Sequence, residues 1–261
     1  MRFPFQINSC GKNLLGILHT PKKQRNIPIV MIMCYGLNGN RVEQHRMCVK
    51  LGEMCETYSI NLIRFDYINV GVSEGDFFFS NLSERVKNLI DVYNFILGCF
   101  NSKLSLYLNG FSDGAKIILK AKEHINGVDG LIFWNPVINI LNLQNHETAN
   151  DALVEKLKIH PVYKKPYMPF YGSCLSTDII KNIVNDDSVV LLNDKRKKLF
   201  IFGENDINTK HVRAFIERMN CKYTQIKIVN NAEHLFNDEM HEHHVLINTV
   251  SWIAENTAGC I

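Results

Sequence analysis

Residues 104–119 read LSLYLNGFSDGAKIIL, and their reading decides the architecture of the chain. Leu104–Leu108 is apolar enough for a strand buried on both faces, and Ala115–Leu119 continues with the spacing of a helix. Between them stands Gly110-Phe111-Ser112-Asp113-Gly114. A Gly-x-Ser-x-Gly match alone arises by accident in about one chain in ten of this length, taking roughly 7% each for Gly and Ser. The flanking strand and helix give this match its meaning. A serine at a strand-to-helix elbow is held in a strained, exposed conformation, and flanking glycines let neighbours approach where a side chain would not fit. Ser112 is therefore the candidate nucleophile. The N–H of Asp113, at the start of the helix, is a candidate oxyanion donor.

A serine hydroxyl needs a base to take its proton and an acid to orient that base. Both follow in the chain. Leu199–Phe202 reads as a strand that runs into Gly203-Glu204-Asn205-Asp206, and Thr224–Val229 reads as a strand followed by a loop that carries His234. Asp206 is the preferred acid because of its place after the strand, with Glu204, Asp186, Asp187 and Asp194 as alternatives. The order Ser112, Asp206, His234 matches the nucleophile-elbow hydrolases.

Outward from the serine, apolar strand-like runs alternate with longer amphipathic ones, the pattern of a mostly parallel α/β sheet. Strands are expected at Arg2–Ile7, Leu14–His19, Ile27–Cys34, Ile60–Phe65, Leu104–Leu108, Leu131–Trp134, Leu199–Phe202 and Thr224–Val229. The first two are joined by a turn-rich link and predict an antiparallel hairpin at one edge. Helical spacing covers Val42–Tyr58, Asn81–Leu97, Ser112–His124, Thr209–Met219 and Asp238–Asn256. Residues 138–195 break the rhythm, with Pro161, Pro166 and Pro169 among Tyr163, Tyr167, Phe170 and Tyr171. This interval reads as a loop-rich cap inserted into a single domain of 1–261.

Composition excludes several classes. With 261 residues, 46% of them hydrophobic, the chain can bury a large core, and a net charge of +3 lacks the basic stripe expected of a nucleic-acid binder. No apolar run reaches membrane-spanning length, and the N-terminus lacks a signal-peptide pattern. The 8 cysteines show no C-x-x-C pair, so they read as reduced thiols of a cytoplasmic protein.

On these motifs the chain resembles an α/β hydrolase of the serine esterase, lipase and thioesterase superfamily over nearly its full length. Cys34-Tyr35-Gly36-Leu37-Asn38-Gly39 occupies the place of the family's oxyanion loop, which implies the N–H of Leu37 as second donor. Residues 64–75, RFDYINVGVSEG, are similar to the family's R-F-D-x-R-G-x-G-x-S-E-G loop. Tyr35 stands where many relatives have His, Ile68 and Asn69 replace Arg-Gly, and Asp113 brings a carboxylate beside the oxyanion site. A finer resemblance, carried by Leu131–Val137, Arg41–Arg46 and the S-E-G-D-F loop, is to lysophospholipase-like and exosortase-associated hydrolases.

The resemblance implies hydrolysis of a small-molecule acyl ester or thioester, free or carrier-bound, through an acyl-enzyme, with no metal and no organic cofactor. Transfer of the acyl group to an alcohol or amine is the alternative, and a non-catalytic binding protein is the third. Asp66 reads as a buried structural acid. His241 and His244, one helical turn apart, read as a solvated face because no third ligand accompanies them. Phe77-Phe78-Phe79 and the cap aromatics either line an acyl pocket or pack under loops.

Overall fold

Burial alternates along the first strand and is unbroken along the central ones, which sets the layering of the chain. The structure is a computed structural model that describes residues 1–100, 103–138, 157–170, 172–184 and 195–257. In chain order its elements are β1 (Arg2–Ser9), β2 (Lys12–His19), β3 (Ile29–Cys34), α1 (Met47–Thr57), β4 (Ile60–Phe65), α2 (Leu82–Cys99), β5 (Ser105–Phe111), α3 (Gly114–Ala121) and β6 (Val128–Trp134). There follow β7 (Lys158–Ile159), β8 (Pro166–Phe170), β9 (Ser173–Ser176), α4 (Thr177–Val184), β10 (Lys197–Gly203), α5 (Lys210–Met219), β11 (Thr224–Val229) and α6 (Glu239–Thr257).

Eight strands form one sheet in the order β1-β2-β4-β3-β5-β6-β10-β11. β1 and β2 pair as a hairpin whose turn places Cys10 and Gly11 at positive φ, the backbone twist that suits a two-residue connection. β2 meets β4 antiparallel, and every later pairing is parallel. Every residue of β3, β4 and β5 is buried, as both-face coverage requires. α1 packs on α6, and α2 packs on α3.

Strand order reverses around β3, with β4 on one side and β5 on the other. Such a switch point opens a crevice beyond the carboxyl ends of the strands. The register pairs Cys34 at the end of β3 with Gly110 in β5, so the loop after β3 and the elbow after β5 leave the sheet side by side.

Three expectations need correction. Residues 42–46 do not begin the first helix: Glu43, His45 and Arg46 all take positive φ, and a short 3-10 turn over Gln44–Arg46 precedes α1. The helix after the elbow begins at Gly114 rather than Ser112, because Ser112 itself is left-handed. The interval 138–195 is not all loop. Its described residues hold a three-stranded antiparallel sheet, β7-β8-β9, and α4. Two of its prolines, Pro166 and Pro169, lie in β8, and the two-residue β7 is too short for periodicity to reveal.

The loops beyond β3 and β4 are tied by Asp66, which is fully buried. Its carboxylate accepts the Arg41 N–H at 2.7 Å and the Val72 N–H at 2.9 Å, and it pairs with the Arg41 guanidinium. That is the structural role expected of it. Asn69 takes φ +69° and holds the loop with its amide. It accepts from Lys12 at 3.0 Å and donates to Glu84 at 2.6 Å. A left-handed Asn is tolerated where a second glycine would otherwise serve.

His19 joins β2, β4 and α1. Its Nε2 accepts from Arg64 Nε at 2.8 Å, and its Nδ1 contacts Glu56 at 3.1 Å, while Gly52 leaves room for the ring. Burial and then the Arg64 charge push its pKa down to about 4. The unfolded chain therefore binds a proton that the folded chain refuses between that value and the usual ~6.5, so this contribution to stability is lost as pH falls. From about pH 7 to about pH 5 the wild type should lose roughly 2 kcal/mol more than His19→Gln, read as the difference between their urea-unfolding free energies. Using the difference cancels Glu43, whose burial raises its carboxyl to about 7 and works in the opposite direction.

Candidate active site

The elbow is built by steric exclusion. Ser112 sits at φ +53°, a conformation that costs a non-glycine residue about 1–3 kcal/mol. Hydrogen bonds over-determine it: Ser112 N–H donates to Trp134 C=O at 2.8 Å, and Ser112 C=O accepts from Val137 at 3.1 Å and from Ala115 at 3.2 Å. The two flanking glycines are required by different neighbours. A Cβ on Gly114 would lie 2.4 Å from the Cys34 carbonyl oxygen, and one on Gly110 would lie 2.9 Å from the Ala115 nitrogen. The first contact lets α3 cross directly over the end of β3.

The structure brings Ser112, His234 and Asp206 together from three separate strand ends. His234 Nε2 lies 2.9 Å from Ser112 Oγ, and His234 Nδ1 lies 2.7 Å from Asp206 Oδ2. Asp206 also accepts from Thr209 Oγ1 at 2.7 Å and from Asn208 N–H at 2.9 Å. Burial pushes the Asp206 carboxyl up, but the hydrogen bond and charge of His234, with Thr209 and Asn208, outweigh it and hold the pKa below the usual carboxylate range. An ionised Asp206 fixes the proton on Nδ1, leaving Nε2 as the acceptor toward serine. Phe111 stacks against the imidazole with ring centroids 5.8 Å apart.

Of the alternative acids, Glu204 faces elsewhere and accepts the Asn231 N–H at 2.8 Å. Asp186, Asp187 and Asp194 lie outside the described residues. Gly36, in the loop after β3, lies against the serine, since a Cβ there would be 3.5 Å from Ser112 Oγ. The Leu37 and Asp113 N–H groups meet no acceptor among the described residues. The Asp113 carboxylate is paired with Lys116 Nζ at 2.8 Å across one turn of α3, and that lysine is almost wholly buried. A compensated carboxylate opposes a neighbouring negative charge far less than a free one.

Two contributors escaped the sequence reading. Asn135 is fully buried at φ +38° beyond β6. Its amide donates to His234 C=O at 2.8 Å, and its carbonyl accepts Gly203 N–H at 2.8 Å, so one side chain ties the histidine loop to the strand that carries Asp206. An asparagine closing an apolar strand just before Pro136 was its signal. Arg85 is buried in α2 and reaches the loop after β3. The aromatics Phe78, Phe79, His160 and Tyr163 pack on one another, with Phe78 and Tyr163 centroids 4.9 Å apart, and Tyr163 donates to Asp76 at 2.7 Å. Phe78 and Phe79 thus pack against the β7–β8 connection, Phe77 packs against the main core beneath the Arg85 guanidinium, and Tyr171 lies outside the described residues. Among the described residues no group of three or more His, Cys, Asp or Glu is placed to hold a metal, and no helix is long and apolar enough to cross a membrane.

No protein-family model matches the chain, and no curated protein matches it in sequence. Solved structures do match in shape. Est1E from Butyrivibrio proteoclasticus, with ferulic acid bound, superposes with a TM-score of 0.77 at 16% identity, over 97% of this chain and 99% of that one. Mouse alpha/beta hydrolase domain-containing protein 10 gives 0.71 at 16% identity, over 97% and 99%. The esterase domain of a Rhodothermus marinus protein gives 0.70 at 12% identity, over 98% of each chain. The chain has the α/β-hydrolase fold.

Two substitutions test the geometry. Gly114→Ala should force α3 away from the Cys34 carbonyl, lowering the urea midpoint and slowing the reaction of Ser112 with a fluorophosphonate by at least about tenfold. Asn135→Ala should leave the His234 carbonyl and the Gly203 N–H without partners, costing about 2–4 kcal/mol by urea unfolding.

Proposed function

We propose that this protein is a serine hydrolase that cleaves a carboxylic ester or thioester of an acyl group through a Ser112-His234-Asp206 triad. The observation that carries the reading is the pair of short contacts on opposite nitrogens of one imidazole, 2.9 Å to Ser112 Oγ and 2.7 Å to Asp206 Oδ2. A serine with a base and an oriented acid in this arrangement is an activated nucleophile.

In the first step His234 Nε2 takes the hydroxyl proton as Ser112 Oγ bonds to the carbonyl carbon, and the carbonyl π electrons move onto oxygen. The N–H groups of Leu37 and Asp113 are assigned to that oxyanion. The imidazolium then protonates the leaving alkoxide or thiolate as its bond to carbon breaks, which leaves an acyl-enzyme. Water, deprotonated by the same nitrogen, attacks the acyl carbon, and collapse releases the acid and regenerates Ser112. Asp206 stays ionised throughout and stabilises the imidazolium. These steps are complete with the chain's own residues.

An ester carbonyl fits the neighbours, one of which is an esterase domain and another of which holds ferulic acid.

A fluorophosphonate probe tests the reading. The wild type should be labelled at Ser112, Ser112→Ala should not be, and Asp206→Asn should be labelled at least about 10²-fold more slowly. Undiminished labelling of Ser112→Ala, or none in the wild type, defeats the proposal. Adding an alcohol to a p-nitrophenyl ester assay separates hydrolysis, which yields the free acid, from transfer, which yields the new ester.

A further inference from the structure

Arg85 is a buried cation that the triad does not use. It is 3% exposed in the first turn of α2, where the helix dipole disfavours positive charge. No carboxylate contacts its guanidinium among the described residues. Instead Nη2 donates to Leu37 C=O at 2.9 Å, Nη1 approaches Gly36 C=O at 3.5 Å, and Nε donates to Ser80 Oγ at 2.9 Å. The guanidinium lies over the Tyr67 ring, 5.2 Å from its centroid. Leu37, Arg85, Asp113 and Lys116 line one small cavity.

We infer that Arg85 is the positioning residue of the oxyanion hole, clamping the carbonyls on either side of the Leu37 N–H, that of Leu37 at 2.9 Å and that of Gly36 at 3.5 Å, so that this N–H is held toward the serine. The inference rests on the hydrolase reading above. In a trans peptide the C=O and the N–H point in opposite directions, so fixing the Gly36 carbonyl on the Arg85 side turns the Leu37 N–H away from it. Gly36 C=O also accepts from Gly39 N–H at 3.3 Å. The guanidinium restrains the backbone on both sides of that N–H, and its positive charge in a low-dielectric setting favours the oxyanion that forms nearby. The second effect grows as charge develops on the substrate oxygen, so it acts on the transition state more than on bound substrate. The charge balance supports the assignment. Among the described lining residues Lys116 and Arg85 are the two cations and Asp113, paired with Lys116, is the one anion.

The test compares wild type, Arg85→Met and Arg85→Lys with p-nitrophenyl acetate as substrate and a trifluoromethyl ketone as oxyanion-forming inhibitor. Arg85→Met should lower kcat by about 10- to 100-fold with KM within about twofold, and inhibitor affinity should fall by the same factor as kcat/KM. Arg85→Lys keeps the charge without the fork and should fall between the two. A purely structural role would lower the urea midpoint without moving inhibitor affinity relative to KM. That result overturns the inference, as does a kcat within twofold of wild type in Arg85→Met. Replacing a buried charge by an apolar residue of similar shape is often tolerated. Should Arg85→Met fail to fold, Arg85→Lys decides alone, and unchanged kcat and inhibitor affinity there overturn the inference. A wild type that neither turns over the ester nor is labelled at Ser112 defeats the hydrolase reading and this inference together. A labelled, active wild type with unaffected Arg85 variants defeats the inference alone.

Discussion

The contact between Gly114 and the end of β3 is the constraint on which the rest of the site depends. With no Cβ at Gly114, α3 starts directly over the Cys34 and Tyr35 carbonyls. That closeness aims the helix N-terminus at the crevice and sets Ser112 against Gly36. It also fixes the strained φ of Ser112, whose backbone hydrogen bonds to Trp134 and Val137 hold the elbow against relaxation. Strain of this size persists only where the surroundings leave no alternative.

Around this contact the polar groups divide into two systems. Toward β10 and β11, Asn135, Asp206, Thr209 and His234 form a chain of hydrogen bonds that sets the tautomer and direction of the imidazole. Toward β3 and α2, Arg85 holds the Gly36–Leu37 segment while Lys116 compensates Asp113. Ser112 stands where the two meet. Desolvation strengthens each of these interactions and would penalise each group if it lost its partner, so such networks work only when nearly every member is satisfied.

Much of this was legible before any coordinates. The eight-stranded sheet with its edge hairpin followed from apolar runs and turn residues, and Ser112, Asp206 and His234 followed from strand, motif and order. The misses have physical causes. Periodicity reports on long amphipathic elements, so the proline-bearing β8 and the two-residue β7 were read as loop. Residues 42–46 have helical spacing, but three positive φ angles delay α1 until Met47. Arg85 lies on the same helical stripe as Leu82, Leu89 and Val92, and that placement of a cation among buried residues was its signal. Lys116 is likewise buried in an α3 whose every other residue except Lys120 is buried.

By itself, the sequence determined which chemistry was on offer: a serine between glycines, an acid and a histidine after later strands, and enough apolar length to build the sheet beneath them. Those are local properties, set by residue type and spacing along the chain. Only the tertiary structure decided which acid faces the histidine, that the Asp113 carboxylate is paired, and that Asn135 bonds the histidine loop and Arg85 the loop after β3. Each of those is a contact between residues far apart in the chain or on different faces of an element. A distance of 2.7 Å between residues 206 and 234 is a consequence of strand order and register, and spacing along the chain does not carry it.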